Sequence, residues 1–199
     1  VVGFDPEQFS PPHGVCIGDV LSPSNNTGTS SYSTEYSIFV AELHNLRISV
    51  FNAASGSFIR TIGSGERGSG PGQLNNPISV YYLPAGAGSS NPNGDPHIYV
   101  GGSSNKRVAI FNANSGAHVR HIDVGFATFF LLPIRTSDGD SFIYVATNYG
   151  SIKIVHESNY VLVIQLLYLL NHKIFDGFVY NLDYELRDEL VESLTLEML

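Results

Sequence analysis

The chain has 199 residues, 43% of them hydrophobic and 14% charged, with a net charge of −8, which is enough apolar material for one domain with a sizeable core. Its ten Lys and Arg residues form no basic run, which leaves little for counterion-release binding to a phosphate backbone. A single cysteine, Cys16, excludes an intrachain disulfide and a cysteine zinc cluster, and reads as a small buried residue. The longest apolar run, Val161 to Leu170, is half of the roughly 20 residues a membrane-spanning helix needs, so it reads as a strand and no membrane insertion is expected.

In chain order, the first predicted strand is Pro12–Ile17, apolar and introduced by proline. An insert at 21–36, rich in Ser, Asn and Tyr, predicts an exposed loop. Strands follow at 38–40, 47–51 (Ile48 and Val50 alternating with Ser49) and 57–62. The turn Glu42-Leu43-His44-Asn45 joins the first two of these, with Asn45 expected at positive φ, and Asn52–Gly56 joins the second pair. A Gly-rich connection, 63–77, leads to a strand at 77–82. A second exposed insert, LPAGAGSSNPNGDPH at 83–97, precedes strands at 98–100, 107–111 and 117–122. Weaker strand patterns follow at 126–133, 142–146, 151–155 and 160–167. The tail changes period: Leu182, Leu186, Leu190 and Leu194 with acids between them predict a short amphipathic helix within an acidic extension, 171–199.

Two of these stretches repeat without a gap. IFVAELHNLRISVFNAASGSFIRTI (38–62) and IYVGGSSNKRVAIFNANSGAHVRHI (98–122) share N-x-R-[IV]-x-[VI]-F-N-A-x-S-G and a closing [IV]-R-x-I. Each copy of three strands, with the proline-introduced strand before it, makes a unit of four short antiparallel strands, which is the form of a β-propeller blade. The fold class is therefore all-β, with blades at about 12–62, 77–122 and 126–167 inside a propeller region, 1–170, that makes an incomplete ring. The structural repeat residues are Asn45, Arg47, Asn105, Arg107, Gly56 and Gly116. Arg47 is expected to pair with Glu42 at the surface, worth about 0–1 kcal/mol. Gly102 replaces that acid in the second copy, which leaves Arg107 to reach a neighbouring blade or a ligand.

The phrase Phe39-Val40-Ala41-Glu42-Leu43-His44-Asn45-Leu46-Arg47-Ile48-Ser49-Val50-Phe51 resembles the NHL repeat, and 63–77 resembles that family's blade-to-blade linker. Phe9–Val15 is similar to the end of another linker. The resemblance covers 7–122 well and 126–167 poorly. It implies a propeller that is usually six-bladed, so a start at Val-Val without Met and only three blades read as a fragment, a dimer of half rings, or an open arc capped by the acidic helix.

No catalytic, cofactor or metal site is expected. Seven histidines are scattered singly, except that His118 and His121 lie three apart, which on a strand sets them on opposite faces. Gly63, Gly65 and Gly68 spell G-x-G-x-x-G, but a strand follows where a phosphate loop needs a helix. The expected inner strands, at Val15–Ile17, Ser79–Tyr81 and Thr128–Phe130, are mostly apolar. The expected role is a non-catalytic platform for a protein partner, bound through loops carrying Tyr32, Tyr36, Asn91, Asn93, Asp95 and His97. The resemblance also implies two alternatives: a propeller lyase or hydrolase with a metal in its channel, and an RNA-binding domain, against which the acidic balance argues.

Overall fold

The computed structural model describes residues 5, 8–23, 32–85, 94–135, 141–147 and 152–156. The chain divides into two compact units, Val1–Leu166 and Leu167–Leu199, and every described residue belongs to the first. The predicted strand at 160–167 and the acidic helix of 171–199 lie outside the described residues.

Among the described residues, eleven strands build three antiparallel sheets. The first holds β1 (Pro12–Pro23), β2 (Tyr32–Glu42), β3 (Arg47–Asn52) and β4 (Phe58–Ile62) in chain order. The second repeats that order with β5 (Pro77–Leu83), β6 (His97–Gly102), β7 (Arg107–Asn112) and β8 (His118–Asp123). The third shows β9 (Phe130–Arg135), β10 (Ser141–Ala146) and β11 (Ile152–His156). The described residues are all-β, and their sheets are the antiparallel blades of a β-propeller.

The sheets stack face to face through two apolar layers. Phe39, Ala41, Ile48 and Val50 of the first sheet meet Val80, Ile98, Val100 and Phe111 of the second. The opposite face of the second sheet, with Tyr99, Val108 and Ile110, meets Leu131, Ile143, Val145 and Val155 of the third. A strand covered on both sides has no polar face to alternate with, which is why β7 is buried at five consecutive positions from Arg107 to Phe111. The outer strand β8 alternates strictly between half-buried and exposed.

Small residues let the first two sheets approach along their inner strands. A Cβ on Gly14 would stand 2.6 Å from the carbonyl oxygen of Ile78. The Tyr82 ring lies across Gly18, stacks on Phe39 at 6.2 Å, and its hydroxyl donates to Asp19, shared between the carbonyl oxygen (2.5 Å) and a carboxylate oxygen (2.6 Å). Burial, reinforced by Asp19, holds this phenol above the usual tyrosine range.

The shared N-A-x-S-G motif is a side-chain-braced turn. Asn52 Oδ1 accepts from the amides of Ala54 (3.0 Å) and Ser55 (2.9 Å), and Asn112 Oδ1 accepts from Asn114 (2.9 Å) and Ser115 (2.8 Å). Gly56 and Gly116 close these turns at φ 71° and 76°, where a Cβ would be strained.

Three expectations about local structure change. Positive φ falls on Leu46 (55°) and Lys106 (53°) and not on Asn45 or Asn105. Asn45 is buried and donates to Glu42 Oε2 at 2.5 Å, so the following residue takes the left-handed step, with its amide bonded to the Glu42 carbonyl at 3.1 Å. The insert at 21–36 is strand at both ends, because β1 runs to Pro23 and β2 starts at Tyr32. In the third sheet the inner strand begins at Phe130 and not at Phe126. Phe126 instead packs on the second core layer, with the Lys153 ammonium 4.4 Å over its ring.

Candidate functional site

The repeated arginines serve the scaffold. Arg107 is 2% exposed, and its guanidinium donates to three carbonyls of the connection before its own blade: Ser69, Gly70 (3.1 Å) and Gln73 (2.7 Å). It reaches this linker and not a ligand, since the turn between β6 and β7 places it directly under residues 69–73. Arg47 does the same one blade earlier, donating to Asp5 (2.8 Å) and Gln8 (3.2 Å). Its pairing with Glu42 is real at 3.1 Å, but it is not a surface pair: Glu42 is fully buried and also accepts from Asn45 and Ser49. A carboxylate removed from water needs such a full set of donors, and the linker covers it. In the second blade the Asn105 amide oxygen occupies the space a Cβ on Gly102 would claim, so no acid fits there. The arginine of [IV]-R-x-I works between blades, as Arg60 donates to the Ala113 carbonyl at 2.5 Å.

The unrepeated part of the first blade is the β1–β2 hairpin. Five residue pairs, from Asp19↔Tyr36 to Pro23↔Tyr32, continue past Ser37, where the pairing with β3 stops. At about 3.3 Å per residue this makes an arm of roughly 16 Å. One side is anchored: Val20 is in the core, Tyr82 holds Asp19, and the Leu21 amide donates to Asn114 of the second blade at 2.9 Å. The other side presents Leu21, 50% exposed, and Tyr36, 64% exposed, beside exposed Thr34. An aromatic and an aliphatic side chain held on a braced strand pair make a preformed contact surface.

The predicted loop residues separate. Tyr36 is on this arm, and Tyr32 begins its second strand. Asp95 accepts from the Asn112 amide at 3.0 Å, as Glu35 does from Asn52 at 3.0 Å, so both acids brace the turn after the third strand. His97 opens β6, its ring edge-on to Tyr99 at 6.4 Å. Asn91 and Asn93 lie outside the described residues. Sequence reasoning missed Val15, Ile17 and Leu21, whose exposure alternates along β1 against half-buried Cys16 and buried Val20. Period-two alternation was the available signal, hidden by reading the strand as ending at Ile17.

His118 and His121 are closer than strand alternation predicts, with ring centroids 6.1 Å apart. A bulge at Val119, where the register slips between Ile110 and Phe111, returns both rings to one side. Burial, with His121 and Arg107 nearby, lowers the His118 pKa below the usual histidine value. Among the described residues no three His, Cys, Asp or Glu side chains converge as a metal site, and no helix is long and apolar enough to cross a membrane. Cys16 packs half-buried against the first core layer, and burial pushes its thiol up to about 12.

No protein-family model and no curated protein matches the chain. Solved structures align with the chain. BBS1N, in its complex with ARL6DN, aligns with a TM-score of 0.51 and 15% identity over 75% of this chain and 41% of that one. Kuenenia stuttgartiensis hydrazine synthase aligns with a TM-score of 0.43 and 13% identity, over 70% of this chain and 32% of that one. The chain thus spans less than half the length of these structures. What the sheets and BBS1N together define is a protein of β-propeller class.

Proposed function

We propose that the chain is an NHL-type array of propeller blades that serves as a non-catalytic platform and holds a protein partner on the β1–β2 arm of its first blade. The shared N-x-R skeleton and the linker at 63–77, with Arg107 bound to that linker, support the NHL reading. The observation that carries partner binding is the pair Leu21 and Tyr36, half or more exposed on an arm whose other side is fixed to the second blade. Tyr32 lies on the same arm. The loop joining β5 to β6 leaves its blade at the corresponding end, because both connections join the first and second strands. BBS1N is solved in complex with ARL6DN. A likeness at 15% identity transfers the fold only, and the arm supplies the argument.

Affinity purification of the wild-type chain beside a Leu21→Ser, Tyr36→Ser variant tests the reading. Both substitutions remove exposed apolar surface, so thermal stability should hold while a stoichiometric protein partner is lost. Retention of every partner by the variant removes the arm from consideration. A stoichiometric metal found in the purified chain together with hydrolase or lyase activity overturns the non-catalytic reading.

A further inference from the structure

Among the described residues, the same repeat that builds the stack leaves Val15 and Ile17 open on the first face, while Phe9 packs on Phe51 of that face at 5.5 Å. Matching the sheets by register, Val15, Ile17 and Ile38 of the first sheet stand where Val80, Tyr82 and Ile98 stand in the second. In the second sheet these positions are packed under the first sheet, with Val80 and Ile98 buried. In the first sheet, among the described residues, Val15 is 65% and Ile17 58% exposed. The other end of the stack carries the complementary pattern. Tyr144, Ala146, Ile152 and Ile154 of the third sheet match Phe39, Ala41, Ile48 and Val50, the residues with which the first sheet covers the second. On that face Ile152 is 45% and Phe130 72% exposed, whereas Tyr144 and Ala146 are half-buried and Ile154 is buried.

We propose that a second copy of this chain seats the outer face of its third sheet on the open face of the first sheet, continuing the blade stack head to tail. The reason is continuity with an interface the chain already makes twice, first sheet on second and second on third. Val15 and Ile17 on one side and Phe130 and Ile152 on the other are exposed and carry no charge, so their contact buries no unpaired ion. Exposed apolar sheet faces of this kind mark interaction surfaces. The contact is heterologous, so it closes into a ring or extends, according to the rotation between copies. Val15, Ile17 and Ile38 share a face with Leu21 and Tyr36, so the second copy seats beside whatever the β1–β2 arm binds; the Leu21→Ser, Tyr36→Ser variant, which leaves Val15 and Ile17 in place, should still self-associate.

Light scattering coupled to size exclusion on the 199-residue chain, across micromolar concentrations, should give a mass of two copies or more. Val15→Asp with Ile17→Asp, at exposed positions that folding tolerates, should weaken assembly roughly tenfold or more. Ile152→Asp, on the opposite face, should do the same. Mixing the two variants should restore a one-to-one pair, because each retains the face the other lacks. A monomeric wild type overturns the proposal and leaves the face to blades outside this sequence. Self-association of Ile152→Asp at wild-type strength overturns it too, since the open face would then be pairing with itself.

Discussion

Arg107→Ala is the sharpest test of how the blades are joined. The guanidinium is 2% exposed and donates to three backbone carbonyls of the linker, Ser69, Gly70 and Gln73. A hydrogen bond to a charged group contributes about 1.5–3 kcal/mol when its acceptor stays dry. These acceptors sit on a partly exposed segment and regain water when the side chain goes, so about 1 kcal/mol per bond is the better figure, or roughly 3 kcal/mol in all. Against a typical stability of about 5–15 kcal/mol this is a large loss. With a urea slope near 2 kcal/mol/M, the unfolding midpoint should fall by roughly 1.5 M. The chain has no Trp and 11 Tyr, so far-ultraviolet circular dichroism and tyrosine fluorescence are the readouts. Arg107→Lys should recover only part of the loss, because one ammonium cannot span three carbonyls. Arg67→Ala is the control, since Arg67 is exposed and holds only Asn75 at 3.0 Å. If Arg107→Ala and Arg67→Ala unfold at the same urea concentration, the linker is not held by this residue and the reasoning fails.

Two further outcomes are expected. His118 has a folded pKa below its unfolded value of about 6.5, so the unfolded chain binds the proton first and stability should fall as pH drops through about 6.5, levelling off below the folded pKa. His118→Phe, which places in the second blade the residue found at Phe58 in the first, should flatten that acid limb and raise stability at pH 5, measured by urea titration at several pH values. Cys16, with its thiol pushed up to about 12, holds on the order of one thiolate in ten thousand at pH 8. A disulfide reagent should therefore label it far more slowly in buffer than in denaturant, and equal rates would show that the first two sheets separate readily.

Much of the scaffold was legible because its residues act locally. The Asn-Ala-x-Ser-Gly turns, the glycines at positive φ and the strands around them depend on bonds within a few positions. The hairpin inserted in the first blade was legible as an insertion but not as strand, since Asp19 interrupts the apolar alternation between Ile17 and Leu21 and the pairing with Tyr32–Tyr36 shows only in the fold. The bulge at Val119 escaped notice for a similar reason. It reverses which face His118 takes, and only the pairing with β7 shows it.

Arg47 and Glu42 mark the boundary most clearly. Their pairing follows from the two-residue alternation of strands facing each other across a turn, so sequence alone determined it, just as the repeat at 38–62 and 98–122 determined the blade. Whether that pair lies in water or in the interior depends on Asp5 and Gln8, whose carbonyls accept from Arg47 from more than 30 positions away. The same holds for Arg107, whose acceptors are the linker carbonyls of 69–73. Periodicity reports which side of a strand a residue takes; what lies against that side is set by packing between sheets, and only the tertiary structure decides it.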